Sequence, residues 1–343
     1  MEYNNAWIKA VLLSGRTVGF FDRANKYAWK MDLDNHHRDS FLFVRLNKDS
    51  RVRLVIDDNP RFMIDAYSDT VSIFDAENNQ MVVENVAVEE AAIHAPEQLF
   101  LGLYEYCKIG CRFCPFGTAR VESDIEKVHY SLDSIFRDID SATNKNYTSI
   151  GITTAIPFNL SSDDVADELI FTVRKIREKV GSTIPIGVST RIPSIDKLRQ
   201  LYESGANEVR LNIEVADEKL AVKLMPNKPQ NDIMISLTSA VDVFGRGKVS
   251  SNIVVGLGET DSQIVTMVER LAQIGVVATL YPYDPIDCTS VISRTFSRPS
   301  ADRLYALAVE HKRILDSNGL DPTALLTMCP ACAASHILPG KDL

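Results

Sequence analysis

Two rhythms of apolar and polar positions divide the chain. From about residue 96 onward, short apolar runs alternate with longer stretches whose apolar residues recur at helical spacing. Leu132, Ile135, Phe136 and Ile139, for example, fall on one helix face. The pattern predicts strands over 98–104, 148–154, 185–190, 207–213, 248–255, 276–281 and 324–328. Helices are predicted over 163–180, 194–204, 217–224, 232–244, 260–274 and 300–317. Ser161 and Ser162 offer a cap to the first long helix, and Gly181, Gly205, Gly245, Gly275 and Gly319 stand where helices should stop. Strands alternating with helices of this length imply parallel βαβ units, and about seven of them imply a complete or partial TIM-type (βα) barrel. Chemistry in such a barrel gathers at the C-terminal ends of the strands.

Residues 1–92 follow the other rhythm. Short β-favouring runs cover 6–13, 17–21, 40–46, 52–56, 61–66, 70–74 and 81–88, with turn signals at 47–50, 57–60 and 78–79. They predict a small antiparallel β domain or β-rich extension, with the barrel occupying 93–343. Covering the active site, binding a substrate or partner, and dimerising are all open roles for it. His36-His37 follow Asp34-Asn35 and read as solvated loop residues, with a metal site as the alternative.

Composition narrows the class. With 45% hydrophobic and 24% charged residues, the chain has the balance of an ordinary soluble globular protein. A net charge of −9 argues against a nucleic-acid partner, which needs a basic surface. No apolar run approaches the ~18 residues of a membrane span, and the first residues lack the basic-then-apolar order of a signal peptide. Six cysteines make no disulfide scaffold in a chain of this length, so a reducing, cytoplasmic setting is expected. Oligomeric state is not set by the sequence.

The candidate chemistry centres on Cys107-Lys-Ile-Gly-Cys111-Arg-Phe-Cys114, directly after the first predicted barrel strand. Three thiolates from one tight loop suit three irons of a [4Fe–4S] cube and leave the fourth iron open. A zinc knuckle is the alternative, but zinc sites usually pair two short ligand motifs and no fourth ligand sits nearby. The C-x3-C-x2-C spacing with Phe113 before its last cysteine resembles the signature of the radical SAM superfamily. That resemblance implies a [4Fe–4S] cluster held by Cys107, Cys111 and Cys114, with S-adenosylmethionine (SAM) chelating the open iron. It further implies reductive cleavage of SAM to a 5′-deoxyadenosyl radical, fed by an electron donor such as flavodoxin or ferredoxin.

Further positions extend the likeness. Thr153 and Thr154 stand where the superfamily commonly has a Gly-Gly-Glu-Pro-like motif for the SAM amino group; here Pro157 remains and the acid is absent. Arg191 follows the third strand. Arg210, Asn212 and Glu214 alternate along the fourth, so all three should face one side. Asn212 and Glu214 suit a ribose, and their run resembles the ribose-binding strand of biotin synthase; a solvated surface strand is the plainer reading. Lys228 resembles a basic residue that pairs with the SAM carboxylate. Val255-Gly256-Leu257, continuing to Gly258-Glu259-Thr260, closely resembles the adenine-side strand end of biotin synthase. The resemblance spans about 96–320 and implies the biotin- and lipoyl-synthase-like branch.

Three cysteines remain. Cys288 and Cys329-Pro-Ala-Cys332 are each predicted to follow a strand, on the same face as the first three. They could hold an auxiliary iron–sulfur cluster. Cys288 could instead be a buried apolar residue, and the pair a redox dithiol or half a zinc site completed by His336. A second cluster would make sulfur insertion at an unactivated carbon the most economical reaction. Without it, radical rearrangement, decarboxylation, dehydrogenation or C–C bond formation is expected, on a small-molecule or carrier-bound substrate.

Overall fold

The computed structural model of the chain describes residues 4–21, 41–67, 70–89, 95–104, 107–114, 130–143, 146–191, 194–285 and 296–343. His36, His37 and Cys288 lie outside the described residues.

The chain begins with a helix, α1 (Asn5–Gly15), where the sequence predicts a β-run over 6–13. Asn4 caps it by accepting from the Trp7 N–H. Ala6, Lys9, Ala10 and Leu13 fall on one helix face, and all are buried. The Val and Leu content suited either element; packing against a C-terminal helix selects the helix.

Six strands follow: β1 (Thr17–Phe20), β2 (Phe41–Arg45), β3 (Arg51–Ile56), β4 (Phe62–Tyr67), β5 (Thr70–Asp75) and β6 (Met81–Glu89). They close into a small barrel of order β1-β3-β2-β6-β5-β4. Closure corrects the purely antiparallel expectation, because β1 runs parallel to both β3 and β4. The remaining pairs are antiparallel.

The second sheet is wholly parallel. Its strands are β7 (Gln98–Gly102), β8 (Ser149–Thr153), β9 (Ile186–Ser189), β10 (Glu208–Arg210), β11 (Val249–Val255) and β12 (Val277–Pro282), paired in sequence order. Among the described residues, β7 and β12 each have one strand neighbour, so this is a partial barrel of six strands. The connecting helices are α2 (Leu132–Ala142), α3 (Ser162–Val180), α4 (Ile195–Glu203), α5 (Glu218–Leu224), α6 (Gln230–Phe244) and α7 (Asp261–Ile274), with α8 (Ala301–Ser317) after β12. Ser161 and Thr260 start α3 and α7 with capping boxes. Ile150, Ile152, Ile186, Val188 and Val209 turn towards the helices and fill the main core. By alternation, Gly151, Gly187, Glu208 and Arg210 turn to the other face.

A last strand over 324–328 does not form. A 3-10 turn (Pro322–Ala324) leads into an extended stretch and then a five-residue helix, α9 (Met328–Cys332). The Glu208 carboxylate takes the Leu326 and Thr327 N–H groups, each at 3.0 Å, and the Thr327 hydroxyl at 2.6 Å. Those bonds spend on one side chain the backbone donors that a seventh strand would offer a ladder. Gly187 and its register partner Gly151 make room: a Cβ at Gly187 would lie 1.9 Å from Thr327 Oγ1, and one at Gly151 3.2 Å from the Met328 sulfur. The segment therefore crosses the inner face of the sheet and floors the partial barrel.

The two barrels share structure. Leu304 and Ala308 of α8, with Ile337, belong to the core of the small barrel. Asp284, after β12, binds both Arg16 at the end of α1 and Arg298. Lys9 is wholly buried against Asp342, Nζ to Oδ2 2.7 Å. No described helix is long and apolar enough to cross a membrane.

Candidate active site

A cavity of about 590 Å³ opens at the C-terminal ends of the parallel strands. Cys107, Cys111 and Cys114 line it from the loop after β7. The segments that follow β8 and end α5 hold that loop in place. Lys108 N–H donates to the Ile156 carbonyl (2.7 Å), Arg112 N–H to Leu224 O (2.9 Å), and the Asn227 amide to Ile109 O (3.1 Å). Gly110 takes φ 73°, a turn that a side chain would strain. Within the loop, Cys114 N–H closes on the Cys111 carbonyl at 3.1 Å. Phe113 and Cys111 pack against a small apolar cluster that includes Val215, Leu224, Leu257 and Tyr283.

Burial pushes the Cys111 thiol up to about 12, opposed by the nearby Lys228 ammonium and reinforced by Glu214 and the other two cysteines. A buried thiol with two more thiols close by is costly to ionise alone and well suited to a metal centre. Among the described residues, no three His, Cys, Asp or Glu side chains converge on one metal ion. Three thiols from one loop match the three protein-held corners of a [4Fe–4S] cube.

The same cavity brings together most of the other predicted positions. Thr153, Thr154, Arg191, Asn212, Glu214 and Lys228 all line it. Lys228 Nζ and Glu214 Oε1 are 3.6 Å apart. Glu214 has φ 64°, unusual for a residue with a side chain. Its backbone is pinned to β11 on both sides, N–H to Asn252 O at 2.8 Å and its carbonyl to Val254 N–H at 2.7 Å. Strain held by two backbone bonds is typical of a site where side-chain direction matters. Asn212 accepts from Asn252 N–H (3.2 Å), and Arg191 donates to the Asn227 carbonyl (2.9 Å).

Val255, Gly256 and Leu257 do not line this cavity. Gly256 has φ 116°, and a Cβ there would lie 2.7 Å from the Ser297 carbonyl, so the chain itself fills its missing side chain. Glu259 accepts from the Gly256 and Leu257 N–H groups (2.8 and 2.9 Å) and is held by Arg303 at 3.1 Å. This run is a stapled turn behind the loop cysteines, which its Leu257 touches through the Phe113 cluster.

Sequence reasoning placed the C-terminal cysteines after a strand; they lie on α9, in the floor. Arg210 Nη1 is 2.6 Å from Cys329 Sγ. Cys332 packs with Phe43, Ala95 and Ala334 on the small-barrel side, and burial raises its thiol pKa. Arg210, Ser189, Tyr104 and Asp232 also line the cavity and were not among the predicted site residues. For Arg210 the alternation with Asn212 and Glu214 was the available signal. Burial and the Glu168 carboxylate, which accepts from its hydroxyl, push the Tyr104 phenol up.

Comparison with known proteins agrees with this geometry. No curated protein matches the sequence. Solved structures do, at low identity. Methylornithine synthase (PylB) matches at 17% identity and TM-score 0.52, over 64% of this chain and 62% of that one. HydG, a maturase of the [FeFe]-hydrogenase, matches at 14% and 0.52, over 64% and 50%. A radical SAM methyltransferase from Sphaerobacter thermophilus matches at 17% and 0.50, over 76% and 75%. The chain spans 62% and 50% of the first two of these structures, and at such identities the likeness shows the fold alone. Residues 102–271 match the family model of the Radical SAM superfamily, so the part of the chain that carries the three-cysteine loop and its cavity is a radical SAM domain.

Proposed function

We propose that this protein is a SAM-dependent radical enzyme whose cluster is held by Cys107, Cys111 and Cys114. The observation that carries the reading is one cavity lined by three loop cysteines and, across it, by Asn212, Glu214 and Lys228. When bound, the cluster and SAM supply a reductively generated 5′-deoxyadenosyl radical, and an electron donor of the flavodoxin or ferredoxin kind supplies the electron. The residues of the chain bind and orient. Glu214 and Asn212 offer acceptors to ribose hydroxyls, Lys228 offers a cation to a carboxylate, and Thr153 and Thr154 stand at the amino-group side. The apolar cluster around Phe113 and Leu257 keeps water from the back of the cysteine loop.

The reaction proposed for that radical is sulfur insertion at an unactivated carbon, as in the biotin- and lipoyl-synthase-like branch, with Cys329, Cys332 and Cys288 holding a second cluster. Supporting it, Cys329 and Cys332 sit on one turn of helix, α9, below the cavity, with Arg210 against the first and Arg51 and Arg53 near the second. Burial raises the Cys332 thiol pKa, and Arg53 and Arg51 oppose that rise; Lys9 lies close enough to feel the same thiol. A different observation favours radical chemistry without a second cluster: the two thiols have separate surroundings, Cys329 against Arg210 and Cys332 against Phe43 and Ala95.

Iron and sulfide analysis with EPR on anaerobically reconstituted protein separates these readings. Wild type and the Cys329→Ala/Cys332→Ala variant are compared with and without SAM. Sulfur insertion requires about eight irons in wild type and about four in the variant, with the SAM-sensitive signal kept in both. About four irons in both leaves single-cluster chemistry, and the absence of any SAM-sensitive signal defeats the radical SAM reading itself.

A further inference from the structure

One buried cation of the cavity lining has no carboxylate partner among the described residues. Arg210 ends β10, is only 8% exposed, and still lines the cavity. Its Nε donates to Ser189 Oγ at 3.0 Å and its Nη1 meets Cys329 Sγ. Three other buried cations have carboxylates: Lys9 has Asp342, Arg51 has Glu89, and Arg16 has Asp284. Among the described residues Arg210 has none. One hydroxyl and one sulfur do not use up five fixed guanidinium donors, and the cavity is where the others are open to a ligand.

The surroundings add acceptors and donors of the same kind. Ser189 is the register partner of Arg210, so the two lie side by side on the inner face. Thr190, which also lines the cavity, has a buried hydroxyl with no partner, and so does the Asn252 amide oxygen beside Cys329. At ~3.3 Å per residue, Arg210 lies roughly 7 Å below Asn212, towards the floor and away from the cysteine loop.

We infer that the floor is the recognition point for a carboxylate of the substrate, gripped by Arg210 with the Ser189 and Thr190 hydroxyls. This rests on the reading of the cavity as a radical site. A carboxylate is favoured over a phosphate because, among the described residues, Arg210 is the buried cation of the cavity lining with neither a carboxylate nor a backbone carbonyl bonded to it; Lys228 is paired with Glu214, and Arg191 donates to the Asn227 carbonyl. One guanidinium edge matches one monoanionic, planar group. The substrate then enters acid-first, and the carbon presented to the radical lies above its carboxylate, between Arg210 and the three cysteines. Arg210 is a specificity residue in this assignment.

The test uses reconstituted holoenzyme with SAM and a matched panel of probes. The panel holds straight-chain carboxylic acids of two to ten carbons, with and without an α-amino group, together with their primary amides and the corresponding alkyl phosphates. Binding is read as a thermal shift and, separately, as SAM-cleavage product formed per enzyme. Acids in the panel should bind and their amides should not. Arg210→Gln should weaken the best acid roughly tenfold to hundredfold, and Arg210→Lys should recover part of that loss. SAM affinity and the SAM-sensitive EPR signal are measured in the same variants. Amides binding as well as acids, phosphates binding better, no acid binding at all, or Arg210→Gln leaving acid affinity intact would each overturn the assignment. A matching fall in SAM affinity in Arg210→Gln would overturn it too, by making the anion SAM's own carboxylate. Loss of SAM binding in wild type would strike the proposed function instead, and the two failures are told apart by that control.

Discussion

His311, on α8, is 1% exposed, and neither ring nitrogen has a hydrogen-bond partner in normal geometry. Burial lowers its pKa to about 4, against a slight opposite pull from the Ala278 carbonyl. The unfolded chain binds a proton near pH 6.5, and the folded one resists until about pH 4. Stability therefore falls as pH drops through that window, by about 3 kcal/mol for this one group. His336, buried among cations and close enough to feel His311, shifts in the same direction. In urea unfolding, His311→Leu should gain on wild type by most of that amount between pH 7 and pH 4. A pH-independent difference between the two proteins would refute the assignment. At this scale the sequence was informative where residue type and spacing alone make chemistry. The three loop cysteines, Thr153, Asn212 and Glu214 reach one cavity from positions at or after strand ends, and Lys228 reaches it from the turn that opens α6. Arg210 was overlooked as a site residue because its importance lies in a missing partner, and the lack of a carboxylate cannot be seen without tertiary contacts. The left-handed backbone of Glu214 has no sequence sign at all.

Among elements, periodicity located the parallel strands and their helices because each strand is bounded by a cap or a glycine. It failed at both ends of the chain, where a run could satisfy two patterns. Residues 6–13 are apolar at helical and strand spacings alike, and packing against α8 decided between them. Residues 324–328 have strand-like composition, but Glu208 captures their backbone N–H groups and the inner face of β8 and β9 is cut back to glycine to admit them. Gly187 is thus a packing requirement. Gly187→Ala should cost about 1–3 kcal/mol or more in thermal unfolding, because its Cβ meets the Thr327 side chain at 1.9 Å. In a Thr327→Gly background most of that penalty should vanish. An equal cost in both backgrounds would mean that Thr327 does not set the limit.

Across the whole molecule, the chain ends are tied to each other through the small barrel. Lys9 of α1 pairs with Asp342 and also donates to the Ala333 carbonyl at 2.6 Å, with both charged side chains fully buried. Burial lowers the Lys9 pKa and Asp342 opposes it, so the pair is stable only as a pair. Lys9→Met should cost about 3–5 kcal/mol by stranding the Asp342 charge, and Lys9→Met/Asp342→Leu should recover much of it. Additive losses in that double-mutant cycle would show that the contact carries little coupling. None of this was legible from the sequence, which marked residues 1–92 only as a small β domain or a β-rich extension. Leu304, Ala308 and Ile337 instead complete the core of the small barrel from the far end of the chain.

The bottom of the barrel is supplied from the far end of the chain. Residues 326–332 follow all six parallel strands in sequence. A chain cut before residue 326 would leave the Glu208 carboxylate without the three donors it now holds and the face at Gly151 and Gly187 uncovered. The sheet is complete before its last wall is written, so a short truncation would open the barrel from below while sparing every strand.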